Sequence, residues 1–251
     1  MKDILSLSEL FNKNLKNVKK KHKDLIIFLK GVVKIQQKIM FNFNEYKKIK
    51  KNIVILGKKA EIVAISKNHP LEDVEEAISC GIKAFGENRV QEAKLKFEKI
   101  KESNNSIKLH LTGPLQTNKV KNALKLFDVF HTLDREKLLK EFTKHQEIIK
   151  KKFFFIQVNT GKEASKSGIF PENVKSFLEL CKEYGLINIE GLMCIPPINE
   201  RANKHFEIIN EITKECGLGR PSIGMSSDYL SALEFDPKYI RLGTVLFGKR
   251  T

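Results

Sequence analysis

EIVAISKNHPLEDVEEAISCGIKAFGEN (residues 61–88) decides the architecture of this chain. EIVAIS (61–66) is an apolar, β-rich run of the kind that forms a strand covered on both faces. Lys67 ends the run, and Asn68-His69-Pro70 is a turn. LEDVEEAISC (71–80) then has helical spacing, Gly81 is placed to end that helix, and IKAFG (82–86) begins a second strand. The segment reads as strand–helix–strand, with a lysine at the carboxyl end of its first strand.

The alternation continues to the end of the chain. Further candidate strands are KLHLTG (108–113), VFHTL (129–133), FFFIQVN (153–159), IEGLMCI (189–195), PSIGMS (221–226) and YIRLGTVLF (239–247). REKLLKEFTKHQEIIKK (135–151) is helical, with Asp134 as its expected N-cap. PENVKSFLELCKEY (171–184) opens with proline and closes at Gly185, and ANKHFEIINEITKEC (202–216) stops before Gly217. About eight such units predict an α/β protein built as a single (β/α)8 TIM-type barrel. The rival is a doubly wound open sheet, but no GxGxxG follows the first strand.

Composition narrows the function classes. A chain of 251 residues, 41% apolar and 30% charged, suits one large soluble domain. The net charge of +16 is concentrated at the start: residues 1–60 hold sixteen lysines against Asp3, Glu9, Asp24 and Glu45. Arginine occurs only at 89, 135, 201, 220, 241 and 250, and lysine lacks the planar fork that reads bases. A solvated basic surface or a compositional bias is therefore preferred to specific nucleic-acid binding. Cys80, Cys181, Cys194 and Cys216 are scattered, so no metal site is expected, and reduced thiols in the cytoplasm are the default. LIIFLKGVVKI (25–35) is broken by Lys30 and is too short to span a membrane. Residues 1–23 are basic and suit an amphipathic helix. Asp3 and Glu9 argue against a transit peptide, with organelle targeting kept as a second reading.

Barrel chemistry collects at the carboxyl ends of strands. Those ends carry Lys67, Gly86-Glu87-Asn88, Thr112-Gly113, Asp134, Asn159-Thr160, Met193, Met225-Ser226 and Gly243-Thr244. The loops after strands seven and eight, a common barrel phosphate site, bring Ser226, Ser227, Gly243 and Thr244. Across from them, Lys67 is placed to form a Schiff base with a carbonyl cofactor such as pyridoxal phosphate. That chemistry needs a neutral amine, so its reference pKa of about 10.4 has to be lowered by burial or nearby cations. Arg241 has two readings: a snorkelling or ion-paired arginine, or an inward donor to the cofactor's pyridine nitrogen. Asn88 is either a turn residue or one that positions the cofactor ring. His110 and His131 read as packed histidines, and His205 has no partner nearby in sequence. GKEASKSG (161–168) is either a segment over the barrel mouth or a solvated loop.

Eight segments in register resemble one family: IVAISK (62–67), FGENRVQEA (85–93), HLTGPLQTNKVK (110–121), FDVFHTLDR (127–135), IQVNTGKEASKSGI (156–169), GLMCIPP (191–197), IGMSSD (223–228) and IRLGTVLFGKR (240–250). The chain is similar to the YggS/PROSC family of pyridoxal phosphate-binding (PLP homeostasis) proteins. The resemblance implies a barrel like the N-terminal domain of alanine racemases, with an N-terminal helical extension. Lys67 would hold PLP as a Schiff base, Ser226, Gly243 and Thr244 would grip its phosphate, and Arg241 would face its pyridine nitrogen. Ile65, Asn88 and Met225 would lie around the ring.

The resemblance also implies a carrier rather than an enzyme. Alanine racemases add a C-terminal β-domain whose tyrosine is the second acid–base group. This chain reaches Thr251 just after its eighth strand, and Tyr46, Tyr184, Tyr229 and Tyr239 fall at no position the family uses for proton transfer. The expectation is therefore no catalytic residues, with PLP and recipient PLP-dependent apo-enzymes as partners, and a monomer. A weak amino-acid racemase is the alternative. A basic N-terminus that binds nucleic acid or acidic membranes is a third reading. Lys67 sits later than in typical family members, so residues 1–23 read as an extension and 24–251 as the PLP-binding barrel, with 25–50 as its leading helix.

Overall fold

The β1–β8 pair closes the sheet: Glu61 lies opposite Tyr239, Ile62 opposite Ile240, Val63 opposite Arg241 and Ala64 opposite Leu242. In this computed structural model, which describes residues 20, 22–23, 41–186 and 188–248, the chain forms two units, Met1–Ile39 and Met40–Thr251. In the first, Lys20, His22 and Lys23 are the described residues; they are helical and exposed. The expected extension over 1–23 otherwise lies outside the described residues, as does the part of the expected 25–50 leading helix before residue 41.

The second unit is a (β/α)8 barrel with its eight parallel strands in sequence order. The strands are β1 (Glu61–Ile65), β2 (Ala84–Glu87), β3 (Lys108–Leu111), β4 (Val129–Leu133), β5 (Phe153–Val158), β6 (Ile189–Cys194), β7 (Ser222–Met225) and β8 (Tyr239–Leu242). The described helices are α1 (Phe43–Ile55), α2 (Leu71–Ser79), α3 (Val90–Ser103), α4 (Val120–Leu126), α5 (Glu136–Thr143), α6 (Gln146–Ile149), α7 (Val174–Glu183), α8 (Ala202–Glu215), α9 (Tyr229–Glu234) and α10 (Thr244–Phe247). Helix α1 starts at Asn42, whose Oδ1 accepts the Glu45 amide at 3.0 Å. It continues to Ile55, beyond the expected end at 50.

Strand alternation sorts the core into two layers. Ile62, Ala64, Phe85, Leu109, Phe130, Phe154, Leu192, Ile240 and Leu242 pack outward against the helices. Val63, Ile65, Val129, Phe155, Met193 and Tyr239 fill the lumen. A chain without tryptophan uses phenylalanine for bulk. Phe130, Phe142 and Phe154 meet with ring centroids 5.0–5.2 Å apart, and all three are buried. Each such ring contributes about 2–3 kcal/mol by leaving water, an upper figure because unfolded chains already bury some apolar surface.

Four expectations need correction. Met193, read as a strand-end residue at the mouth, is fully buried in the lumen. The run YIRLGTVLF is strand only to Leu242. At Gly243 the backbone turns (φ −112°, ψ −83°), and Thr244–Phe247 is helical because Leu246 and Phe247 are buried instead of continuing the sheet. There the Asn42 amide bonds Leu246 O at 2.7 Å, and the Phe41 and Phe247 rings lie 5.4 Å apart. The stretch 135–151 breaks at His145 into α5 and α6; between Phe142 and Ile149 no side chain is buried to hold one straight helix. Asp134 does not cap α5. Arg135 takes that place without a side-chain cap, and the Asp134 carboxylate pairs with Arg135 instead.

The chain reaches Met225 through Gly224, at φ +91°, where an added Cβ would lie 2.6 Å from the Ala232 methyl. Gly224→Ala combines left-handed strain with a collision against the buried Ala232 methyl. It should lower unfolding free energy by about 2 kcal/mol or more in urea titration; a loss within about 0.5 kcal/mol would contradict the packing described.

Candidate functional site

At the carboxyl end of the strands lies a cavity of about 280 Å³, lined by Ile65, Lys67, Asn88, Thr112, Ile195, Met225, Ser226, Ser227, Arg241, Gly243 and Thr244. It is near the small end of ligand cavities, which run from about 300 to 1,000 Å³. All eight residues expected around the cofactor line this one space: Lys67, Ile65, Asn88, Met225, Ser226, Arg241, Gly243 and Thr244. Thr112, Ile195 and Ser227 complete the wall. A larger groove of about 430 Å³ between α3 and α4, lined by Lys94, Glu98, Lys101 and Lys125 among others, touches no strand end and offers no comparable chemistry.

Among the described residues, the lining combines one lysine, one arginine and hydroxyls from Ser226, Ser227, Thr244 and Thr112, with no carboxylate. Ser226 Oγ accepts the Gly243 amide at 3.2 Å and the Val245 amide at 3.5 Å, which ties the loops after β7 and β8 together. Asp228 anchors the β7 side by accepting the Met225 amide at 2.6 Å. Hydroxyls and backbone amides converging beside cations suit a phosphate monoester. On the other wall, Thr112 Oγ1 donates to Asn88 Oδ1 at 3.0 Å. Gly113 permits this approach, since a Cβ there would fall 2.5 Å from Asn88 O.

Period-two alternation decides which way Arg241 faces. With Ile240 and Leu242 packed outward, Arg241 points into the lumen, where only 4% of its surface is exposed. Nη1 donates to Ser222 O (2.7 Å) and Ser222 Oγ (2.8 Å), and Nη2 donates to Cys194 O at 2.8 Å. No carboxylate lies within 4.0 Å of it among the described residues. A buried cation held by neutral acceptors and fronting a cavity suits a ligand with an acceptor atom.

Behind Arg241 a polar chain runs down the lumen. His131 Nδ1 meets Ser222 Oγ at 3.0 Å, and His131 Nε2 meets His110 Nδ1 at 2.9 Å. Burial pushes His110 from an ordinary 6.5 down to about 3, with Asp128 opposing it only in part. His131 is held well below its ordinary value by burial first, then by His110 and Arg241. Both rings are thus neutral. A consistent direction has Ser222 donating to His131 and His131 donating to His110. The reading of these two as packed histidines holds, with the addition that they are bonded to each other.

Elsewhere on the rim, His205 finds a distant partner: Nδ1 lies 2.9 Å from Thr160 Oγ1. The 161–168 loop is pinned by Asn159, whose Nδ2 donates to Glu163 O at 2.8 Å and Lys166 O at 3.2 Å. Among the described residues, no group of His, Cys, Asp and Glu could hold a metal ion. No described helix is long and apolar enough to cross a membrane.

Residues 45–251 match the family model described as alanine racemase, N-terminal domain. The pyridoxal phosphate homeostasis protein of Aquifex aeolicus is 37% identical over 207 residues, covering 76% of this chain and 87% of that one. The Schizosaccharomyces pombe protein of the same description is 34% identical over 209 residues, covering 77% and 86%. Among solved structures, PipY of Synechococcus elongatus with PLP bound is 30% identical, with a TM-score of 0.65 over 76% of this chain and 93% of that one. An alanine racemase of Acinetobacter baumannii, 16% identical, shares the fold at a TM-score of 0.63 over 82% of this chain and 61% of its own.

The lumen histidines make stability depend on acid. Unfolded, each ring takes up a proton near its ordinary 6.5, whereas the folded His110 does so only near 3. Stability is therefore retained above pH 6.5 and falls below it, by up to about 1.4 kcal/mol per pH unit for each ring. Urea midpoints measured from about pH 7 to pH 4 should decline, and less steeply in His110→Gln. A wild-type slope unchanged by that substitution would rule the neutral pair out.

Proposed function

This chain belongs to the pyridoxal phosphate homeostasis protein family, and we propose that it holds PLP as a Schiff base on Lys67 and acts as a carrier without turnover of its own. The observation that carries this reading is the convergence of Lys67, Arg241 and the Ser226–Gly243–Thr244 donors on one carboxylate-free cavity. PLP binding by PipY, a relative of the same fold, supports the choice of ligand.

Bound PLP supplies an aldehyde that condenses reversibly with amines and a ring that withdraws electrons. The residues divide that molecule between them. Ser226 and the amides it gathers take the phosphate, along with the Thr244 hydroxyl. Ile65 and Met225 supply apolar walls for the ring, and Asn88 a polar edge. Arg241, a permanent donor, bonds a pyridine nitrogen without transferring a proton to it, which weakens the ring as an electron sink. Two-base racemisation needs an acid–base group on each face of the substrate. The described lining offers Lys67 and, in Arg241, a guanidinium too basic for the task. These features support storage and delivery of the cofactor, with PLP-dependent apo-enzymes as recipients and a monomer as the working form. The four unpaired cysteines suit a reducing, cytoplasmic setting.

Purified protein should absorb in the near-visible range. After borohydride reduction, peptide mapping by mass spectrometry should place the label on Lys67; a label on another lysine, or none, overturns the site. Incubation with single L-amino acids and chiral analysis should give no D-enantiomer at enzymatic rates. Robust turnover abolished by Lys67→Ala would favour the racemase.

A further inference from the structure

Alternation places Val63, Ile65 and Lys67 towards the lumen and Ile62, Ala64 and Ser66 towards the helices. Behind Lys67, in that outer layer, lies a buried ionic cluster that no feature of the cavity requires. Lys96 of α3 is 7% exposed and Glu87 of β2 fully buried, and Lys96 Nζ lies 2.5 Å from Glu87 Oε1. The same ammonium donates to Ser66 O (2.8 Å), His69 O (3.3 Å) and Glu92 Oε1 (2.9 Å). Ser66 Oγ donates to Glu87 Oε1 at 2.7 Å, and the Asn68 amide to Glu92 Oε1 at 2.5 Å. The residues on both sides of Lys67 are thus tied to one cation and its two carboxylates. Asn68 is held in left-handed backbone, at φ +61°.

Such a cluster is costly. Burial raises the Glu87 pKa even against the pull of Lys96, and Glu87 Oε2 has no hydrogen-bond partner among the described residues. Burial also opposes ionisation of Glu92, but the hydrogen bonds from Lys96 and the Asn68 amide prevail and hold its pKa down. Buried ion pairs of this kind are often no more stabilising than apolar residues of the same shape, so global stability is a poor account of this one. Its contacts instead fall on the backbone of the segment that carries the reactive amine.

We propose that Glu87, Lys96 and Glu92 are positioning residues that clamp segment 66–69, fixing the base of the Lys67 side chain so that its amine meets a bound aldehyde. This rests on the Schiff-base reading above. The clamp stands behind the strand, so it acts on the covalent link and not on the phosphate or ring contacts. Ligands with and without an aldehyde therefore separate the two effects.

Glu87→Gln/Lys96→Met removes both charges while keeping shape. PLP affinity and retention should fall about tenfold. Binding of pyridoxamine 5′-phosphate, which shares the phosphate and ring but has no aldehyde, should change less than about twofold. Equal weakening of both ligands overturns the clamp and makes the cluster merely structural. Unchanged PLP retention in a variant whose wild type is labelled at Lys67 overturns the clamp alone. A wild type not labelled at Lys67 overturns the parent reading and the clamp with it. If the double variant does not fold, Glu92→Gln must show the same split between ligands at about threefold; without it the clamp is overturned.

Discussion

The pairing of β1 with β8 is the contact on which the rest of the structure depends. It joins the two ends of the sheet, and its register sets Val63 against Arg241. Two residues beyond β1 comes Lys67, and one beyond β8 comes Gly243. Closure therefore places on one rim an amine and a set of amide and hydroxyl hydrogen-bond donors separated by about 175 residues of chain. In an open sheet the same two strands would be opposite edges, and Lys67 and Arg241 would share no cavity.

Closure also sets what the lumen must contain. Its apolar layer is small: Val63, Ile65, Val129, Phe155, Met193 and Tyr239. Beside it Arg241, Ser222, His131 and His110 form one hydrogen-bonded line. The rings pack as well as bond: His131 stacks on Phe155 at 4.9 Å, and His110 meets Tyr239 edge-on at 4.8 Å. A buried polar chain is tolerable because each member finds a partner. The result is a guanidinium anchored from below and presented at the cavity floor. The outer layer carries a second polar cluster, around Lys96, where stability would favour apolar residues. Both depart from the simplest packing, and both lie directly behind a residue that lines the cavity.

The candidate site was largely legible because barrel chemistry has an address. The β–α alternation puts Lys67, Asn88, Ser226, Gly243 and Thr244 at strand ends, where chain direction alone brings them to the mouth. Strand ends are also where such a reading errs. Met193 lies one residue short of its strand's end and is turned into the lumen, while Ile195, two residues later, lines the cavity. TVLF has strand composition but forms a helix, because its burial against Phe41 and Asn42 involves residues about 200 positions earlier in the chain. Composition does not single out Lys96 among forty lysines. One signal was available: Val90, Ala93 and Phe97 form the buried face of α3, and Lys96 falls among them.

By itself, the sequence determined the barrel, the direction of every strand end and the residue types available at the mouth. These follow from local pattern: a period of two within strands, a period near four in helices, and glycines at helix ends. Which way Arg241 faces, which histidines meet, and what surrounds Lys96 were decided only by tertiary structure. A side chain's environment depends on register between strands distant in sequence, and a shift of one residue would turn each of these groups to the opposite face.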